Sequence, residues 1–232
     1  MAPSPATPVT ATPPTAAEIL AELAALEDPR VRRVNERHGD DHGVNLTKLR
    51  AVAKRVKTNQ ALATELWATQ NTAARLVALL ISKPRGYAPE DLDAMLRDAR
   101  VPKVNDWLVN YQVKPHPAAE QLRAAWFADP DPRVAGAGWA LTSHRIAAGD
   151  EGLDRSALLD QIEAEMAAAP ENLQWAMNEC LATIGIHSPE LRARALDIGE
   201  RLAVLKDYPT SPGCTSPYAP IWITEMVRRR EG

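Results

Sequence analysis

The sequence predicts an all-α protein, a superhelix of stacked antiparallel helix pairs. Three observations predict it. Apolar residues recur at i, i+3, i+4 and i+7 through most of the chain, the period of a helix with one buried face. Ala and Leu dominate while Phe occurs once, which favours helix over sheet. No turn pair such as Asn-Gly joins two alternating runs, so no hairpin is expected.

The elements follow in order. The start, MAPSPATPVTATPP, carries five prolines in 14 residues and is expected to lack packed structure over 1–14. Residues 15–232 are expected to form a single helical-repeat domain. Thr15-Ala-Ala-Glu18 is a capping box, in which Thr15 accepts from the amide of the third helical residue and Glu18 reaches back. Ile19, Leu20, Leu23 and Leu26 follow at helical spacing. A short helix over 30–37 is broken by HGDDHG. Residues 46–57 make the next helix, apolar at Leu49, Val52, Ala53 and Val56. Helices over 60–67 and 72–82 are separated by ATQN. Pro84 and Gly86 break the pattern, and Pro89 opens a helix to 97, as proline does at a first turn. The stretch VNDWLVNYQVKPHP (104–117) comes next. Helices over 118–127, 133–148, 157–168, 171–184, 189–205 and 221–229 complete about a dozen. Adjacent helices pair into units of about 35 to 40 residues, the period of HEAT-type repeats.

Composition excludes several classes. No run approaches 18 uncharged apolar residues, so no membrane span is expected. The start lacks a basic region before an apolar run, so it is no secretory signal, and a cytoplasmic protein is expected. Cys180 and Cys214 read as free thiols without metal-ligand spacing. Net charge is −3 and the pI about 6.0, which is no global nucleic-acid signature. The distribution differs: residues 44–85 hold eight Lys or Arg against one acid, Glu65, whereas 151–232 hold 13 acids against eight bases. A basic early segment can hold phosphates while the remainder keeps the chain soluble.

Phosphate-binding glycine loops, HExxH and GxSxG are absent, so nucleotide hydrolysis, zinc and serine-hydrolase chemistry have no support. No metal and no cofactor are expected. Two positive signals remain. In NLTKLRAVAKRVK, Lys48, Arg50, Lys54, Arg55 and Lys57 occupy the arc left by the apolar stripe. They suit phosphate contact, which gives affinity without sequence information, though a solvated surface helix is the plain alternative. The second signal is Trp107. Among six tryptophans, Trp67, Trp126 and Trp139 sit among Leu, Phe and Ala and read as core. Trp107 instead shares a helix face with Asn110 and Tyr111, a polar edge ordinary in a cleft; an awkward core helix is the other reading.

The run HGVNLTKLRAVAKRVKTNQALATELWATQNTAARLVALLISKP resembles the DNA alkylation repair family, the AlkD-like alkylpurine DNA glycosylases. The likeness continues through VNDWLVNYQV, DPRVAGAGWALTSHR and IEAEMAAAPENLQWAMNECLATIGIHSPELRARALDIGE, most of 44–200. It implies HEAT-like repeats around a concave basic cleft for duplex DNA, damaged or branched forms included, and excision of purines alkylated at N3 or N7. A tryptophan face attracts such a cationic base by about 0.5–2 kcal/mol. A nearby carboxylate would stabilise the developing sugar cation. Trp107 matches the family's tryptophan. The position four residues on, an aspartate in the family, is Tyr111, and Asp106 is rotated about 100° from Trp107. The family's arginine falls at Gly136, with Arg133 the nearest substitute. A second cleft tryptophan falls near Glu179, with Trp175 one turn earlier. The catalytic candidates are therefore Trp107, Tyr111 and Asp106, and the cleft-lining candidates Asn110, Trp175, Glu179 and Arg133. The site is degenerate against the family's pattern, which leaves catalytic activity open. A non-enzymatic binder of branched or damaged nucleic acid and a protein-interaction scaffold remain as alternatives. No membrane partner is expected, and the oligomeric state is not specified.

Overall fold

The structure, a computed structural model, describes residues 13–231. Most of the tail expected to be unpacked, residues 1–12, lies outside the described residues. The described residues form thirteen α-helices, two short 3₁₀ turns and one π-helix, with no strand among them. None of these helices is long and apolar enough to cross a membrane. The chain divides into two compact units. One holds the described residues up to Ala88 together with Asp98–Gln112; the other holds Pro89–Arg97 and the described residues from Val113 on.

In the first unit, α1 (Ala16–Ala25) begins with the expected capping box: Thr15 Oγ1 accepts from the Glu18 amide, and Glu18 Oε2 accepts from the Thr15 amide at 2.8 Å. The short α2 (Pro29–Glu36) starts on an Asp28 cap with proline in its first turn. Then come α3 (Leu46–Val56), α4 (Gln60–Ala68) and α5 (Thr72–Ile81), each capped by an asparagine whose side chain accepts a first-turn amide. Helix α5 is the core of the unit, buried at nine of its ten positions, with α1, α3 and α4 packed on it. Its one charge, Arg75, is 5% exposed and fully engaged. It lies 4.5 Å over the Trp67 ring, donates to the Trp67 carbonyl at 3.1 Å, and pairs with Asp98. A buried guanidinium persists only when so partnered. Helix α7 (Pro102–Leu108) closes the unit against α5.

In the second unit α6 (Pro89–Asp98) carries Asp93, which accepts from the buried Trp126 indole at 2.8 Å on α8 (Ala119–Trp126). Helix α9 (Pro132–Ala147) packs on α8 so closely that a Cβ at Gly138 would lie 2.6 Å from the Phe127 amide nitrogen. The remaining helices are α10 (Arg155–Glu165), α11 (Glu171–His187), α12 (Arg192–Leu202) and α13 (Ala219–Glu231). Helix α11 is central, packed on α9, α12 and α13. Its Met177, Cys180, Leu181 and Ile184 are fully buried with Trp139, Ile146, Leu159, Ile198 and Ile223. Of the successive helices, α4 packs on α5, α8 on α9, and α11 on α12, whereas α3 packs on α5 and α11 most extensively on α9; the helix boundaries mostly fall within a few residues of those read from the sequence.

Candidate nucleic-acid interface

Helix α3 buries Leu49, Val52 and Ala53, and its five cations are exposed. At 100° per residue the apolar stripe divides them into two flanks. Lys48 and Arg55 lie on one side, where Arg55 pairs with Glu22 of α1. Arg50, Lys54 and Lys57 lie on the other. Lys48, Lys54 and Lys57 have no ion-pair partner among the described residues. Lys57 ends the helix with φ +64° and ψ −169°, a conformation that side chains rarely adopt.

Arg50 meets the second signal. Its guanidinium carbon lies 5.6 Å from the centre of the Trp107 ring, and the Tyr111 ring stands T-shaped to the same ring, with centroids 5.3 Å apart and planes at 84°. The cation–π contact contributes about 0.5–1 kcal/mol at an exposed cation, and the edge-to-face ring pair about 0.5–1.5 kcal/mol. Trp107 is 9% exposed while Tyr111 is 38% exposed. The tryptophan is therefore a nearly buried platform, and the arginine and tyrosine are what it presents to solvent. Asp106 and Asn110 are exposed.

Two anchors fix this platform. Val101 supplies no side-chain cap to α7; instead Asp40, 2% exposed, accepts from the Lys103 amide at 3.1 Å and pairs with its ammonium at 3.6 Å. Beyond Leu108 the helix widens into a π-helix, Val109–Val113. There Gln112, 1% exposed, donates to the Leu79 carbonyl at 2.6 Å, satisfying the end of α5. The loop supplying Asp40 is held by His42. Its Nδ1 accepts from the Val44 amide at 3.3 Å, and burial pushes its pKa down. His42 thus serves the loop as a buried hydrogen-bond acceptor.

The remaining candidates lie in the second unit. Arg133, half-buried, pairs with Asp131 at 2.7 Å. Trp175 is half-buried, with Tyr208 edge-on at 4.9 Å, and Glu179 stands one turn further along α11. A Cβ at Gly136 would meet only Ala176 Cβ and the Asn172 carbonyl, both at 3.8 Å, so a side chain fits there. Sequence reasoning missed Asp40 and Gln112, which act across 63 and 33 residues and have no local signal.

Such a chain is a helical-repeat protein, and comparison with solved structures agrees. One match, at 24% identity and TM-score 0.76, covers 93% of this chain and 95% of that one. It comes from work describing "a new family of proteins related to the HEAT-like repeat DNA glycosylases with affinity for branched DNA structures". The model of the family described as DNA alkylation repair enzyme matches residues 19–223, and the chain belongs to that family. Among curated proteins none matches.

Proposed function

We propose that this chain is a DNA-binding member of the alkylation repair family whose excision of alkylated purines is weak. It holds duplex DNA by phosphate contacts from Arg50, Lys54 and Lys57, with Lys48 and Arg55 flanking. The carrying observation is the occupancy of Trp107. A cationic base would need that indole face, and Arg50 already covers it with a like charge. The residue one turn on is a tyrosine, which offers stacking and a hydroxyl but no carboxylate for a sugar cation. Asp106 is exposed and turned off the tryptophan face. In the second unit Arg133, Trp175 and Glu179 are the further candidate contacts, with Asn110 beside Tyr111 in the first.

The test is one protein preparation in two assays. On duplex DNA carrying N7-methylguanine, binding should be salt-dependent while base release stays near the uncatalysed rate. Lys54→Ala with Lys57→Ala should flatten the dependence of log K on log salt by about 2. Adding Arg55→Ala should change little, because Glu22 already neutralises it. Rapid base release overturns weak excision; a salt slope unmoved by Lys54→Ala/Lys57→Ala overturns the binding surface. A second reading, preference for branched DNA, is favoured by the matched structure's described affinity for such substrates.

A further inference from the structure

Helix α2 raises a question that the fold does not answer. It buries none of its eight residues. So short a helix is marginal without an apolar face to pack. Polar contacts hold it instead, all from one side. Arg32 pairs with Glu27 at 2.7 Å and donates to the Asp41 carbonyl at 2.8 Å. Asn35 donates to the His42 carbonyl at 2.7 Å.

The opposite side is differently built. Arg30, Arg33, Val34 and Arg37 fall at i, i+3, i+4 and i+7, within an arc of about 100°. All four are exposed. The side chains of Arg30, Arg33 and Arg37 have no ion-pair partner among the described residues; Arg37 Nε donates to the Arg33 carbonyl at 3.2 Å. The acids are elsewhere, since Glu27 and Glu36 pair with Arg32 on the inner side. Like charges one turn apart repel and destabilise a helix. Three arginines on one acid-free arc therefore oppose the helix that carries them, and nothing packed in the unit requires them. A partner dense in negative charge would reverse that repulsion. Arginine's planar fork matches phosphate in particular.

We propose that the outer face of α2 contacts the backbone of a second nucleic-acid segment, distinct from the one held by α3. This rests on the DNA-binding reading above and extends it to a branched substrate. The two basic faces are separated along the chain by the HGDDHG loop. There exposed Asp41, with Glu27 and Glu36, adds negative charge around Arg32. A single phosphate run crossing from one face to the other would meet those carboxylates, whereas two separate segments need not. A membrane surface fits less well, because the arc offers Val34 as its one apolar side chain, and interfacial helices need a broad apolar face.

The experiment uses the full chain with Arg30, Arg33 and Arg37 changed together to Ala, and a second variant with all three changed to Lys. Circular dichroism should show unchanged helicity, since Ala is the best helix former. Binding to a four-way junction and to a linear duplex is measured by anisotropy from 50 to 200 mM salt. The triple Ala variant should flatten the junction's salt slope by about 2 to 3 and weaken junction binding at least tenfold near 100 mM. Linear duplex affinity should change less than about twofold, and the triple Lys variant should retain most junction binding. Unchanged junction affinity in the folded Ala variant overturns the proposal. So does equal loss on both DNAs, which would mean one continuous surface. Loss of binding to anionic vesicles with DNA binding intact would overturn it in favour of a membrane role. Wild-type protein that binds neither DNA would overturn the DNA-binding reading as well, and the Lys54/Lys57 variant separates the two surfaces.

Discussion

Consider restoring the missing carboxylate with Tyr111→Asp. The tyrosine gives up an edge contact worth about 0.5–1.5 kcal/mol, which a chain of this size tolerates. The new carboxylate stands one turn from Trp107, but Arg50 contacts the same indole. At a separation of about 6 Å and an effective dielectric of about 20 to 80, their attraction is about 0.7–3 kcal/mol. An aspartate so paired is partly neutralised, and the ring face stays occupied. A free carboxylate of this kind is worth about 2.7–4 kcal/mol, or about 10²–10³ in rate. The single variant should therefore gain little excision. Tyr111→Asp combined with Arg50→Ala should gain much more, up to about 10²-fold over wild type, while binding loses about one phosphate contact. Single-turnover release of N7-methylguanine from duplex DNA reads both. The full gain in Tyr111→Asp alone would refute the idea that Arg50 blocks the site. No gain in the double variant, with circular dichroism showing an intact fold, would refute Trp107 as the place of chemistry.

Two further predictions concern the frame. Gly138→Ala should lower unfolding free energy by about 1–3 kcal/mol in urea titrations, because the added methyl meets Phe127 backbone at 2.6 Å and α8 must move from α9. An unchanged midpoint would show that this approach is looser than described. The two thiols should react separately: Cys214, exposed, reacts with an aromatic disulfide in the folded protein, while Cys180, whose thiol burial pushes up to about 12, reacts only once the chain unfolds. Two equivalent fast thiols in the folded protein would contradict the burial of Cys180.

The helices were legible because their signals are local. Capping residues, first-turn prolines and apolar periods act within one or two turns, and Thr15 and Glu18 bond as their spacing implies. The errors at boundaries are instructive. The helix over 171–184 is expected to stop just before Gly185. It runs on to His187, because that glycine is there for packing: a Cβ would lie 2.5 Å from Ile223 Cδ1. It stops before Pro189, which disfavours helical geometry at Ser188. Helix α12 was expected to run to 205 and ends at Leu202, where Ala203 turns left-handed at φ 52°. No residue type announces that turn, since glycine is the usual signal and alanine stands in its place.

The candidate site was legible only in its parts. Helical spacing brings Trp107 and Tyr111 together, and the basic stripe of α3 is plain in NLTKLRAVAKRVK. That Arg50 covers Trp107 was not legible, because 57 residues separate them and only the packing of α3 and α7 on α5 joins them. The consequence is chemical. Read from the sequence, Trp107 is an open aromatic face awaiting a cation. In the fold it is a buried floor whose cation is supplied by the chain itself. In the proposed reading the same three residues, Arg50, Trp107 and Tyr111, serve another end: an arginine resting over an indole loses less side-chain freedom when it meets a phosphate. On that proposal, the loss of the family's carboxylate and the phosphate contact by Arg50 are one arrangement. Removing Arg50 should weaken binding and open the face at once, and for that reason the double variant is the more informative of the two.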